Sequence, residues 1–222
     1  MKWLKRMMGF EAPLPSATAG LKAPAVVGNP FGLAPRRMLD LDDSLKLLLN
    51  GHSELEVPSK EVVWAVGEVD LGQSIRLSRF YFENEDYWLQ CLMSGPASTD
   101  VQDVILFGYF SVVPINSEAE LKRLVGPESP IGMPTYEHSG WEYQRQWGSE
   151  LGQTELTPFT EHVSNPEESY QIKHLSMLYA RDTGLLDRRE FLLLSVEEDG
   201  EGVISLTTSI GVTLQSTDFN VI

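Results

Sequence analysis

A period-two alternation of apolar and polar residues, running from Glu61 to the end of the chain, most strongly constrains the fold of this sequence. β-Branched and aromatic residues recur at alternate positions, as half-buried strands require. The strands predicted on this basis are 61–71, 75–82, 87–93, 104–113, 136–147, 157–163, 172–180, 190–196 and 202–214. The chain is therefore predicted to be α+β and mostly β, with antiparallel sheets.

Two stretches of this β region resemble each other. Leu77-Ser78 and Phe80-Tyr81, followed by strands 88–92 and 104–106, are echoed by Leu175-Ser176 and Leu178-Tyr179, followed by strands 191–194 and 203–205. The echo predicts two similar three-stranded meanders, packed face to face or joined in one sheet. Lobes of 55–126 and 130–222 are the corresponding division of the chain.

Two short helices are predicted. The first covers residues 38–50, with Asp40 as its N-cap and leucines at 41, 45 and 48 on the buried face. The second covers residues 116–125, where Ser117 and Glu120 form a weak capping box and Gly126 follows the last turn.

Charge divides the chain into a basic start and an acidic body. Residues 1–37 hold six basic side chains and one acidic side chain, whereas residues 38–222 carry a net charge of −20. An acidic body repels phosphates, so nucleic-acid binding is not expected. The single cysteine excludes an internal disulfide and favours a reducing compartment, and the predicted location is cytoplasmic or peripheral at the inner membrane.

The basic start is predicted to be an amphipathic docking segment, residues 1–10, on a Pro/Ala/Gly-rich tether, residues 11–37, ahead of a globular domain, residues 38–222. Placed on a helix, its apolar and basic side chains separate completely, as in interfacial helices. The candidate docking residues are Lys2, Trp3, Leu4, Lys5, Arg6, Met7 and Phe10. Weak contact with an anionic membrane, docking on a protein and packing on its own domain remain alternatives.

The sequence contains no recognisable catalytic, cofactor or metal motif. The four histidines are not spaced as metal ligands, Cys91 has no neighbouring Cys or His, and no glycine-rich phosphate loop is present. The acidic runs 83–86 and 197–201 are read as solvated hairpin tips. Trp141, Tyr143 and Trp147 alternate along one predicted strand, as either an exposed aromatic strip for a partner or a core strand.

Several segments resemble a known family. The segments are 39–51 (LDLDDSLKLLLNG), 66–90 (VGEVDLGQSIRLSRFYFENEDYWLQ), 143–147 (YQRQW), 177–183 (MLYARDT), 192–199 (LLLSVEED) and 211–222. They resemble the YjfK-like bacterial family, a domain of unknown function. The resemblance implies a bacterial cytosolic protein, encoded beside a phage-shock-protein-A-like coiled-coil protein and small membrane proteins, and brings no catalytic residue or cofactor.

The leading functional hypothesis is a non-enzymatic domain that binds a protein partner, linked to membrane stress, with residues 1–10 docking on that partner or on the membrane. The alternative is an enzyme or small-molecule-binding protein whose site is assembled from scattered residues. A subunit of a homo-oligomer that pairs through strand edges is a third class.

Overall fold

The computed structural model describes residues 28–222, which form twelve strands and two short helices. The strands are β1 (Met38–Leu41), β2 (Lys60–Gly72), β3 (Ile75–Phe82), β4 (Tyr87–Met93), β5 (Val101–Pro114), β6 (Thr135–His138), β7 (Trp141–Arg145), β8 (Thr157–Ser164), β9 (Ser169–Asp182), β10 (Arg189–Glu198), β11 (Ile204–Thr213) and β12 (Phe219–Val221). The helices are α1 (Asp43–Leu49) and α2 (Glu118–Val125). The predicted α+β, mostly β class is confirmed.

Eight of the strands close into a ring in which every neighbour is antiparallel. The order around the ring is β2-β3-β4-β5-β11-β10-β9-β8, and β8 pairs back onto β2. Closure leaves few unpaired edges, which limits unwanted strand pairing. The remaining strands extend the sheet: β1 joins β2 to β12, and the β6–β7 hairpin pairs with the end of β9.

The ring consists of two four-stranded halves that meet through equivalent strands. β2 to β5 form one half and β8 to β11 the other, and the seams are β5 with β11 and β2 with β8. The two predicted meanders, β3-β4-β5 and β9-β10-β11, are therefore parts of one continuous sheet. The echo between them is out of register by one residue, because the paired positions place Leu77 and Leu175 on opposite faces.

Both faces of the ring are buried. The inner face packs aromatic and aliphatic side chains from both halves against one another: Trp88, Ile105, Phe107, Ala180, Phe191 and Leu193. The outer face supplies a second, larger core that is covered by β1, α1, α2 and the β6–β7 hairpin. A Cβ at Gly108 would lie 2.8 Å from Leu55 Cδ1, which shows how closely the segment after α1 crosses β5.

The first predicted helix is shorter than expected. Met38–Leu41 forms β1 instead, pairing with β2 and with β12 near the end of the chain. Asp42, not Asp40, is the N-cap of α1, and its carboxylate accepts a 2.8 Å hydrogen bond from the Ser44 N–H. Leu45 and Leu49 face the core while Leu48 is exposed. The pattern at 38–41 fits a helix or a strand equally, and a distant partner decides between them.

The long strand predicted over residues 136–147 is a hairpin. β6 and β7 are joined by a turn at Ser139-Gly140, where both residues have positive φ. β7 continues the sheet beyond β9, and its Tyr143 is fully buried. The second helix begins two residues later than predicted, with Ser117 capping the Glu120 N–H at 3.2 Å.

The alternation predicts seven side chains in the interior, and five of them are buried: Phe80, Trp88, Phe107, Phe191 and Leu193. Tyr81 is partly buried, and Trp64 is 37% exposed. The β2–β3 register shifts between Val63 and Ala65, so Trp64 sits at a bulge and turns outward. Among residues 28–222, no helix is long and apolar enough to cross a lipid bilayer.

Candidate functional site

A buried group of ionisable side chains lies inside the ring, which we term the inner charge cluster: Arg79, Tyr81, Glu161 and His174. The Arg79 guanidinium donates to Glu161 Oε2 at 2.6 Å, and the Tyr81 hydroxyl donates to Glu161 Oε1 at 2.7 Å. His174 Nε2 lies 3.1 Å from Glu161 Oε2. Glu161 is completely inaccessible to solvent, and Arg79 and His174 are nearly so.

Strand register brings the inner charge cluster together. Arg79 on β3 pairs with Gly67 on β2, and Gly67 pairs with Val163 on β8, two residues from Glu161. A Cβ at Gly67 would lie only 1.7 Å from Glu161 Oε1. The missing side chain of Gly67 is thus the space through which the Glu161 carboxylate reaches Arg79 across the β2–β8 seam.

Arg79 also packs between two aromatic rings. Its guanidinium carbon lies 4.8 Å from the centre of the Trp88 ring and 5.3 Å from that of Phe159. The Arg79 Nε donates to Gln90 Oε1 at 3.1 Å. Planar stacking and several hydrogen bonds suit a guanidinium, so a lysine would not fill this position.

Three members of the cluster, Glu161, Tyr81 and Arg79, have shifted pKa values. Burial alone would raise the pKa of Glu161, but the Arg79 guanidinium, His174 and the Tyr81 hydroxyl outweigh burial and lower it to about 2. Burial and the Glu161 carboxylate raise the pKa of Tyr81 well above its usual value. Burial would lower the pKa of Arg79, but its pairing with Glu161 raises it. The pair is therefore ionised over the physiological range.

Two serines extend the cluster along the inner face. Ser195 Oγ lies 3.1 Å from His174 Nδ1 and 2.7 Å from Ser176 Oγ. A serine, a histidine and a carboxylate therefore lie in series, which is the order of groups in a nucleophilic triad. Ser195 is 1% exposed and Ser176 is fully buried, so a substrate reaches this serine only if the ring opens locally. The closed arrangement positions and stabilises charge.

The rim of the cluster carries a further carboxylate. Glu197 Oε1 lies 3.6 Å from His174 Nδ1 and accepts a 2.8 Å hydrogen bond from the Thr207 hydroxyl. Glu197 is partly exposed, unlike Glu161. His174 thus connects a sealed carboxylate to one that contacts solvent.

A second buried carboxylate, Glu190, binds the β6–β7 hairpin and the segment after α1 to the outer face of the ring. It accepts hydrogen bonds from the Tyr143 hydroxyl at 2.6 Å, from Arg181 Nε at 2.7 Å and from the Glu54 N–H at 2.7 Å. The Arg181 guanidinium lies 4.1 Å from the ring centre of Trp141. These contacts hold the β6–β7 hairpin and the segment after α1 against β9 and β10.

The candidate aromatic strip is divided by this arrangement. Tyr143 is buried, Trp147 is partly buried, and only Trp141 is substantially exposed, at 44%. Tyr143 donates its hydroxyl to the buried Glu190, whereas Trp141, on the same side at the start of β7, stacks on the Arg181 guanidinium near the surface, and Trp147 lies beyond the end of β7. The candidate docking residues, Lys2 to Phe10, lie outside the described part of the chain.

A different surface is exposed and apolar. β4 pairs with β5 only as far as Gly108, so the end of β5 is hydrogen-bonded to β11 on one side and open on the other. We term residues 110–114 the apolar edge. Its exposed side chains include Phe110 (55%) and Val112 (57%), and Val113 is 39% exposed. Exposed apolar residues concentrated on an open strand are typical of interaction surfaces.

Acidic turns lie on both sides of the apolar edge. The β3–β4 turn carries exposed Glu83, Glu85 and Asp86, and the Asp86 carbonyl accepts a 2.9 Å hydrogen bond from the N–H of Tyr109, the residue before the edge. On the other side, exposed Asp199 and Glu201 lie in the connection from β10 to β11, the strand that pairs with the edge. The edge is therefore an apolar surface between two groups of carboxylates.

Sequence reasoning missed both the inner charge cluster and the apolar edge. Arg79 lies among apolar residues of a predicted strand, and a buried arginine needs a carboxylate partner, which was the available signal. Exposure of the edge depends on the register of β4 against β5, which places Tyr87 opposite Gly108 and which local sequence does not show. Residues 28–222 contain no group of three or more His, Cys, Asp and Glu side chains arranged to hold a metal ion.

Comparison with known proteins identifies a family. The family described as "Protein of unknown function (DUF2491)" matches residues 3–220. No curated protein and no solved structure matches the chain. The match agrees with the resemblance to an uncharacterised family and covers nearly the whole sequence.

Proposed function

We propose a function for this chain, which belongs to the DUF2491 family of proteins of unknown function: it is a non-enzymatic adaptor that binds a protein partner at the apolar edge. The observation that supports this proposal is the open end of β5, where Phe110, Val112 and Val113 are exposed beside unpaired backbone. Soluble domains seldom leave such an edge uncovered unless it binds something.

The backbone of the edge is arranged to accept another strand. The Ile115 N–H donates to the Ile204 carbonyl at 2.8 Å, so Ile115 is hydrogen-bonded to β11. In an antiparallel pair, the backbone groups of successive residues point alternately toward and away from the neighbouring strand. The backbone N–H and C=O of Val112, three residues earlier, therefore point away from β11. Pro114 lacks an N–H and limits the length of any added strand. A partner segment that adds a short strand here gains main-chain hydrogen bonds, and Val112 and Val113 offer apolar contacts on the two faces.

The charge around the edge selects the kind of partner. The exposed carboxylates of the two turns, Glu83, Glu85, Asp86, Asp199 and Glu201, favour a segment with Lys or Arg on either side of its apolar residues. An acidic partner would meet repulsion from the same turns. The proposed partner segment is therefore basic and amphipathic.

We further propose that residues 1–10 serve as a second docking element and place the protein in the cytoplasm, at times peripheral to the inner membrane. Their cations and apolar residues suit a weak contact with anionic lipid. The resemblance to the YjfK-like family supports a role in membrane stress, with a coiled-coil protein of the phage-shock type as a candidate partner.

Partner profiles of edge variants test the proposal. The full chain, Val112→Glu and the control Leu186→Glu are compared by cross-linking in cells followed by quantitative mass spectrometry. Leu186 is 85% exposed in the connection between β9 and β10, on which the proposal does not depend. We expect Val112→Glu to lose at least one partner about tenfold and Leu186→Glu to retain it. Identical profiles for the three proteins contradict the proposal.

The series Ser195–His174–Glu161 supports a second candidate function, a hydrolase whose ring opens to admit substrate. Labelling of the full chain with a fluorophosphonate tests it, with Ser195→Ala and Ser176→Ala as matched variants. Labelling that only Ser195→Ala abolishes supports the hydrolase. Equal labelling of all three proteins, or no labelling, rejects it.

A further inference from the structure

We infer that residues 1–10 of this chain occupy the apolar edge of the same molecule and compete there with the partner. The inference rests on the proposed binding role of the apolar edge and adds a regulatory contact. Its basis is that residues 1–10 are basic and amphipathic, as is the partner segment that the edge is proposed to bind.

The charges of the two elements are complementary. Residues 1–10 contain Lys2, Lys5 and Arg6 and no carboxylate, whereas the turns beside the edge carry exposed carboxylates at Glu83, Glu85, Asp86, Asp199 and Glu201. At ordinary ionic strength, attraction between exposed charges acts over about 8 Å, so the cations gain only when the segment lies at these turns. The body as a whole is acidic, which concentrates the segment near its surface.

The apolar residues also correspond. Trp3, Leu4, Met7 and Phe10 have no acidic neighbour within the segment, and the edge offers Phe110, Val112 and Val113. Aromatic and Met side chains adapt well to shallow apolar surfaces. Covering the edge also removes a strand end that would otherwise pair with other molecules.

The connecting chain is long enough for an intramolecular contact. A Cβ at Gly28 would lie 3.2 Å from Ser98 Cβ, so the described chain begins beside the β4–β5 connection. Val112 lies eleven residues beyond Val101, about 37 Å along β5 at ~3.4 Å per residue. The 17 residues from 11 to 27 reach up to about 55 Å. Tethering gives the segment an effective concentration in the millimolar range, about what a weak contact requires.

Competition follows from this arrangement. A partner segment must displace residues 1–10 before it binds the edge. The apparent affinity for the partner is therefore the intrinsic affinity multiplied by the fraction of molecules whose edge is uncovered. Displacement also releases the basic segment for a second contact. Partner binding and release of the segment are therefore coupled.

Disulfide trapping in the full chain tests the inference. Leu4→Cys is combined with Val112→Cys, and the matched control combines Leu4→Cys with Leu186→Cys. The native thiol does not interfere, because Cys91 is fully buried. We expect the disulfide between the two introduced thiols of the first double variant to form at least tenfold faster than that of the control, within single chains. It should form about tenfold more slowly at 1 M salt or when Lys2, Lys5 and Arg6 are all changed to Glu.

Equal rates for the two pairs, or a bond formed only between chains, overturn the inference. A rate that neither salt nor charge reversal changes also overturns it. Addition of anionic vesicles distinguishes the lipid alternative: the inference requires trapping in their absence. Because trapping needs no partner, its failure leaves the partner-profile experiment unaffected, and loss of partners in Val112→Glu without trapping would support the proposed function alone.

Discussion

Removal of the buried carboxylate at Glu161 is predicted to destabilise the domain strongly. In Glu161→Gln, the Arg79 guanidinium keeps its charge inside the ring but loses the anion 2.6 Å away. Breaking a buried ion pair by removing one partner costs about 3–5 kcal/mol. The pKa of Glu161 gives a similar figure, because its fall from 4.5 to about 2 corresponds to about 3 kcal/mol of unfolding free energy at neutral pH.

The same reasoning predicts a pH dependence. The folded-state pKa is lower than the unfolded one, so the contribution of Glu161 is complete above pH 4.5 and is lost as the pH falls towards 2. The stability difference between the unmodified chain and Glu161→Gln should therefore fall by about half between pH 7 and pH 3. Loss at acid pH rather than at alkaline pH is the diagnostic sign.

Urea unfolding followed by tryptophan fluorescence measures both effects. Glu137→Gln is the matched control, since Glu137 is an exposed strand glutamate on β6, and it should change the unfolding free energy by less than about 0.5 kcal/mol. A loss below about 1 kcal/mol in Glu161→Gln at pH 7 would refute the argument that the pair is sealed from water. An equal loss at pH 7 and pH 3 would refute the assigned cause.

Three further predictions concern buried groups. Gly67→Ala should lower the free energy of unfolding in urea by about 1–3 kcal/mol or more, because the added Cβ would lie 1.7 Å from Glu161 Oε1. The control Gly152→Ala, with open space around it, should change that free energy by less than about 0.5 kcal/mol. Similar values for the two variants would contradict the packing argument. Tyr143→Phe should lower the free energy of unfolding by about 1–3 kcal/mol, because Glu190 loses the hydroxyl that donates to it at 2.6 Å. The control Tyr170→Phe, at an exposed position, should leave the free energy of unfolding nearly unchanged. A larger loss in the control would be inconsistent with the structure. Burial raises the pKa of the Cys91 thiol to about 12. At pH 8, Cys91 should therefore react with a thiol reagent at least a hundredfold faster in urea than in the folded chain. Rapid labelling of the folded chain would show that β4 is open to solvent.

Sequence alone predicted the long strands well, because their alternation is set by burial on each face. β3 and β4 begin and end where the pattern predicted, and the other long strands differ by a few residues at their ends. β1 and β12 were not predicted, since strands of four and three residues exist only through each other and through β2. The alternation predicts one strand over 136–147, because its apolar spacing continues through the Ser139-Gly140 turn that divides β6 from β7.

The inner charge cluster was harder to predict for a physical reason. Arg79 and Glu161 are 82 residues apart, and ring closure alone brings them into contact. His174 has no neighbouring ligand in the sequence and gains its partners from β8 and β10. Local pattern reports which residues share a face of a strand, but it carries no information about which strands become neighbours.

The two seams of the ring differ greatly in length, and this difference determines where the closed molecule opens. Nine residue pairs join β5 to β11, whereas three pairs, centred on Gly67, join β2 to β8. The Arg79–Glu161 ion pair crosses the shorter seam and adds to the few backbone hydrogen bonds that join β2 to β8. The amide hydrogens that bond β2 to β8 across this seam should therefore exchange with solvent through low-energy local openings, well before those of β10 and β11, whereas the β8 amides bonded to β9 stay protected. Each such opening would hydrate a charged pair that is otherwise dry, and it would expose His174 on the side opposite to the solvent-contacting Glu197.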